Sequence, residues 1–159
     1  MIFAHGFGCD QNMWRLVAPA FEQDYLTVLY DQVGTGKSDL SAYEPAKYAS
    51  LNGYADDLVE IGRVLGVEGG VFVGHSVSAM IGVLASIKAP EMFESLVLVG
   101  PSPRYIDAEG YHGGFTADQI EDPETGLVRI TLPIAVIRRK LAEQIDLIGH
   151  LYTQVVADQ

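Results

Sequence analysis

Short apolar runs alternate with helical patterns along the first hundred residues, and that rhythm leaves few folds open. Met1–Ala4 is apolar and ends at the turn His5-Gly6-Phe7-Gly8. Residues 12–21 place Trp14, Val17, Ala18 and Phe21 at helical spacing. Leu26–Tyr30 is rich in β-formers and runs into a loop over Asp31–Ser38. Residues 51–65 carry Leu51, Tyr54, Leu58, Ile61 and Leu65 three or four apart, the mark of an amphipathic helix. After Gly69-Gly70 comes a brief buried strand, Val71–Val73, with His75-Ser76 as its turn. Residues 77–88 are apolar and helical, and Leu96–Val99 is a further strand ending at Gly100-Pro101-Ser102-Pro103. Strands alternating with helices predict an α/β fold: a parallel sheet covered by helices on both faces and joined by right-handed crossovers.

The last third follows another pattern. Residues 101–126 are rich in Gly, Pro and acid and read as a loop or excursion. From Pro133, the positions Ile134, Ile137, Leu141, Ile145, Ile148, Tyr152 and Val155 predict one long helix over 133–156. Val128–Ile137 is open to a strand reading. A chain of 159 residues, 48% hydrophobic and 19% charged, is expected to form one globular domain with a real core.

The net charge of −11 argues against nucleic acid or an anionic membrane as a partner, since both are polyanions. Cys9 is the single cysteine, which excludes an internal disulfide and a CxxC metal site and points to a reducing cytoplasm. The first residues lack the basic and apolar segments of a signal peptide. No stretch approaches the ~18 apolar residues of a membrane span.

Two motifs compete for a chemical reading. Gly36-Lys37-Ser38 ends like a phosphate-binding G-x-x-x-x-G-K-[ST] loop. Asp31 stands where that motif starts with glycine, and a carboxylate there repels phosphate. The acidic stretch Asp39–Pro45 also offers no helix to hold an anion at its N-terminus. The second motif is Gly74-His75-Ser76-Val77-Ser78, between a strand and a helix. It is G-x-S-x-G with Ser78 as the last residue, the pattern of a nucleophile elbow. The plainer reading makes Ser76 a helix cap. The next amide, that of Val77, lies at the helix start and can donate to an oxyanion. The glycine-rich turn after the first strand would add a second donor, the N–H of Phe7; His5 itself reads as a turn residue bonded to backbone.

Together, H-G-F-G, D-x-x-G-x-G-x-S and G-H-S-x-x at these intervals resemble the α/β-hydrolase superfamily. The chain is most similar to the group of the bacterial stress regulator RsbQ and the plant karrikin and strigolactone receptors. The segments GFGCDQNMW, VAPAFEQDY, YDQVGTGKSDLSAY, LNGYADDL, VFVGHSVSAMIGVLASI, LVLVGPSPRYI and YHGGFTADQIED carry that likeness across residues 1–122. In this light Asp31–Ser38 is a structural turn near the pocket. The family has strands ahead of His5-Gly6, and a helical lid after the segment matching Gly113-Gly114-Phe115. Only 37 residues follow Asp122, so the sequence reads as a hydrolase lacking its first strands and an internal piece, with residues 123–159 helical.

The resemblance implies a serine hydrolase that acts on or binds a small hydrophobic ester or lactone. Ser76 would be the nucleophile, with Phe7 and Val77 as oxyanion donors and no cofactor or metal. Gly149-His150-Leu151 resembles the family's surroundings of the catalytic base, which makes His150 the candidate. The helical phase runs through it, so a plain helix histidine is the other reading. Asp146 and Glu143 lie in the same segment and His112 in the lid-proximal one; no acid stands out. Two alternatives remain: a ligand-binding signalling protein with a regulatory protein partner, and a fragment without a complete triad.

Overall fold

The computed structural model describes residues 1–104, 106–112 and 116. The chain divides into two units, Met1–Pro101 and Ser102–Gln159. The first contains four parallel strands: β1 (Ile2–Ala4), β2 (Val28–Tyr30), β3 (Gly70–His75) and β4 (Phe93–Val99), in the order β2-β1-β3-β4. The parallel α/β architecture expected from the sequence is therefore the one observed. Ala4 is in register with Tyr30 on one side and with Gly74 on the other.

The three helices are α1 (Pro45–Tyr48), α2 (Leu51–Val64) and α3 (Val77–Lys88). Helix α2 starts where the Ser50 hydroxyl accepts the Asn52 N–H, which satisfies a donor with no partner inside the helix. It stops at Gly66, whose positive φ of 64° turns the chain while Gly66 N–H and Val67 N–H close back on Arg63 and Gly62. Its apolar stripe buries Ala55, Leu58 and Val59 against Ile81 and Ala85 of α3 and Phe72 of β3. Fully burying a side chain such as Leu58 stabilises the fold by about 1.5–3 kcal/mol. Gly62 and Gly82 are small because Met92 and Phe72 occupy the space a Cβ would take.

Side chains alternate across a strand, so Ile2 and Ala4 join this core while Phe3 points to the other face. There its ring packs 5.3 Å from Trp14 and 6.0 Å from Phe21. The sequence pattern predicts one helix over residues 12–21. The structure has two 3₁₀ turns instead, Gln11–Trp14 and Ala18–Phe21. Asp10 caps the first, and Pro19 in the first turn of the second breaks the ladder that a continuous helix needs. The strands β3 and β4 are longer than expected. The residues added to the shorter ranges are Gly70, Gly74 and His75 in β3 and Phe93-Glu94-Ser95 in β4, where Glu94 and Ser95 separate the apolar Phe93 from the Leu96–Val99 run. His75 thus closes the strand, and Ser76 alone makes the turn.

In the second unit, Ala108 and Tyr111 exchange backbone hydrogen bonds around Glu109-Gly110, and Tyr111 Oη donates to the Arg104 carbonyl. The expectations for residues 123–159, including the helix over 133–156, lie outside the described residues.

Candidate functional site

Ser76 has φ 56° and ψ −119° and is the one non-glycine residue with positive φ among the described residues. Such a conformation costs roughly 1–3 kcal/mol and persists only where the surroundings impose it. Here, the Ser76 N–H donates to the Val99 carbonyl at 2.8 Å, while the Ser76 carbonyl accepts Ala79 N–H in the first turn of α3. Between these two anchors the chain reverses from strand to helix within one residue, and Ser76 is only half-buried.

The small residues around it have a steric cause. A Cβ on Gly74 would run into the backbone of Ser78, 2.8 Å from its carbonyl carbon. A Cβ on Gly6 would lie 3.0 Å from His75 Cε1 and 3.3 Å from Ser76 Cβ. The turn after β1 is thus packed directly on the strand–helix junction. Phe7 follows on that turn with its ring exposed, and Val77 is the first residue of α3.

Behind this junction lies a buried polar network. His5 Nδ1 donates to the Gly6 carbonyl at 2.9 Å, and its Nε2 accepts the Gln32 N–H at 3.2 Å. Thr35 Oγ1 lies 3.1 Å from the same Nε2. With Nε2 accepting, Nδ1 carries the proton. His5 is thereby a structural histidine, as its position in a turn suggested. Gln32 Nε2 donates to the His5 carbonyl at 3.2 Å and to Ser78 Oγ at 2.5 Å, and Ser78 Oγ donates to the His5 carbonyl. His5, Gln32 and Ser78 are 1%, 9% and 0% exposed. Ser78 stands where the elbow pattern has its last glycine, and neither it nor Gln32 signals this network in the sequence. Their partners are 27 to 73 residues away, and no local pattern signals them.

The loop that resembles a phosphate cradle holds its own anion. The Asp31 carboxylate accepts Gln11 N–H at 2.7 Å, Gln11 Nε2 at 3.1 Å and Lys37 N–H at 2.9 Å. A Cβ on Gly36, at φ 53°, would collide with that carboxylate. Burial raises the Asp31 pKa, but the hydrogen bonds from Lys37 and Gln11 outweigh it and hold the carboxyl below its ordinary value.

Two clefts adjoin this region. One of about 220 Å³ lies between Tyr30–Val33 and Tyr54, Asp57, Glu60 and Ile61. The other, about 430 Å³, is lined by Gly8, Cys9, Asp10, Asn12, Met13, Arg15 and Gly36. Ser76 lines neither. Burial and then Asp10 push the Cys9 thiol up, which makes it a poor nucleophile beside the junction. No group of three or more His, Cys, Asp or Glu side chains among the described residues could hold a metal ion. His112 is exposed in the second unit. His150, Asp146 and Glu143 lie outside the described residues, as does Gly113–Phe115.

The family model of the alpha/beta hydrolase fold matches residues 1–120. Strigolactone esterase D14 of Arabidopsis thaliana is 48% identical over 121 residues, 76% of this chain and 45% of that protein. Karrikin insensitive 2 receptor IA of Petunia hybrida is 41% identical over 121 residues, 76% and 44% of the two chains. A solved hydrolase from Oleispira antarctica superposes with a TM-score of 0.70 at 39% identity, covering 75% of this chain and 44% of that one. The chain spans less than half the length of these relatives.

Proposed function

This chain belongs to the α/β-hydrolase family, and on that premise we propose that it is a serine hydrolase for a small hydrophobic ester or lactone, with Ser76 as nucleophile. The observation that carries the reading is the Ser76 backbone. A strained serine between a strand and the first turn of a helix has the backbone of a nucleophile elbow, the turn on which a serine nucleophile is presented. The names of two relatives, a strigolactone esterase and a karrikin receptor, agree with a small apolar ligand.

In this mechanism Ser76 Oγ bonds to the substrate carbonyl carbon and passes its proton to a base. The carbonyl oxygen gains the electron pair and is held by the N–H groups of Phe7 and Val77. As the carbonyl re-forms, the bond to the alkoxide leaving group breaks, and the base returns the proton to it. Water then attacks the acyl-serine by the same route and frees the acid. The base in this proposal is His150.

The experiment is turnover of p-nitrophenyl acetate by the 159-residue chain, with mass spectrometry to locate the acyl group. Ser76→Ala is expected to abolish acylation, and His150→Ala to leave only the contributions of binding and the oxyanion donors. Turnover indifferent to Ser76→Ala refutes the mechanism. Acylation of Ser76 without turnover favours the second reading, a ligand-sensing role like that of RsbQ, in the cytoplasm and with a regulatory protein as partner. The receptor named among the relatives is the observation behind that second reading.

A further inference from the structure

Building on the assignment of Ser76 and Phe7 above, we propose that Gln32 and Ser78 are positioning residues that aim the Phe7 N–H at the oxyanion. A trans peptide is planar, so its N–H points opposite to its C=O. There is no cis peptide among the described residues. Whatever fixes the Gly6 carbonyl therefore fixes the direction of the Phe7 N–H, since both belong to one peptide unit. That carbonyl accepts from His5 Nδ1 at 2.9 Å and from Cys9 N–H at 3.2 Å.

A neutral His5 ring donates there only as the tautomer with its proton on Nδ1, and the Gln32 N–H aimed at Nε2 selects that tautomer. The same Gln32 holds the other end of His5. Its Nε2 donates to the His5 carbonyl, as does Ser78 Oγ, and the two side chains are hydrogen-bonded to each other. A carbonyl can only accept, so the Gln32 amide has one allowed orientation. Ser78 lies in the first turn of α3, two residues beyond Ser76. One buried node thus links the nucleophile's helix to the peptide that carries the opposite donor. A glycine at 78 would leave Gln32 Nε2 one acceptor short at a buried position, where losing a partner costs more than at the surface. Neither residue needs to touch substrate; both act through His5.

The test compares Ser78→Ala, Gln32→Met and the double variant with the parent, using p-nitrophenyl acetate. Active sites are titrated with a fluorophosphonate so that kcat refers to competent Ser76 alone. Each single variant is expected to lower that kcat about 10-fold with KM unchanged, the scale of one buried hydrogen bond. The double variant should be no slower than the slower single, because both cut the same link. A merely structural role lowers Tm and leaves kcat per titrated Ser76 intact. That result, or losses that multiply in the double variant, overturns the proposal. If Gln32→Met does not fold, Ser78→Ala, which deletes one buried oxygen, decides alone. A parent no more active than Ser76→Ala removes the hydrolase reading and the positioning role with it. An active parent with unchanged variants removes the positioning role only.

Discussion

Replacing Gly6 by alanine should damage the site out of proportion to its size. The added methyl would stand 3.0 Å from His75 Cε1, closer still to His75 Nδ1, and 3.3 Å from Ser76 Cβ. Ordinary carbon contacts lie near 3.5–4.0 Å, so the overlap is roughly 0.5–1 Å. The His75 ring is buried at the end of β3 and has no solvent to swing into. Ser76 is pinned by Val99 on one side and by the first turn of α3 on the other. The lighter element is the turn itself, and it must lift by a comparable distance, carrying the Gly6–Phe7 peptide away from Ser76. Overpacking of this kind costs about 1–3 kcal/mol. A misplacement of ~1 Å in a reacting constellation costs on the order of 100-fold in rate.

Both quantities can be read on one sample. Trp14 is the single tryptophan and is buried against Phe3, so its fluorescence reports unfolding in urea. Gly66→Ala is the control: Gly66 has φ 64° and open space around its Cβ position, so only backbone strain of about 1–2 kcal/mol is added there. The two variants should lose similar stability, while only Gly6→Ala loses acylation of Ser76. Equal activity in the two, or a Gly6→Ala protein as stable as the parent, would show that the turn does not press on the junction as described.

Ser76→Gly should raise stability by about 1 kcal/mol, since glycine adopts φ 56° without strain, and should abolish acylation; a destabilised variant in urea melts would refute the strain argument. Asp31 has a depressed pKa when folded, so its stabilising share is present above the ordinary carboxylate pKa and is lost as pH falls through the folded one. The stability gap between the parent and Asp31→Asn should accordingly hold from pH 7 to about 4 and shrink below that; a gap that is flat down to pH 2 speaks against it. ATP with magnesium should give no saturable heat in calorimetric titration, because the Lys37 N–H that a phosphate would need is bonded to Asp31. Saturable binding lost in Lys37→Ala would overturn that.

The elements were legible where one face of a segment is apolar for several turns. Helix α2 spans Leu51–Val64 against an expected 51–65, and α3 matches its expected 77–88. Residues 12–21 misled because Trp14, Val17, Ala18 and Phe21 have the right spacing for a helix while Pro19 denies it the hydrogen bonds. The spacing records which side chains face Phe3, and two 3₁₀ turns serve that as well as one helix does. At the site, the turn around Ser76 and the glycines beside it could be read, since both are local steric demands. The network of His5, Gln32 and Ser78 could not, because its meaning depends on which strands become neighbours.

That neighbourhood follows from the strand order. From β1 the chain moves to one side to build β2, then crosses back past β1 to build β3 and β4. Crossovers of one hand that run in opposite directions must cover opposite faces. This is why the 3₁₀ turns between β1 and β2 meet Phe3 while α2 and α3 meet Ile2 and Ala4. Next to β1 the loops leave the sheet toward opposite faces, which opens a crevice at the carboxyl ends of the strands. The pairing continues into the loops: Ala4 lies between Tyr30 and Gly74, and just beyond it His5 is bonded to Gln32 and Ser78 while Gly6 packs on Ser76. A parallel sheet with this order therefore brings the turn bearing Phe7, the loop bearing Gln32 and the junction bearing Ser76 to one place before any side chain is chosen. What the particular residues add is the fixing of that place: glycine at 6 for close approach, and a buried amide and hydroxyl to hold the His5 carbonyl.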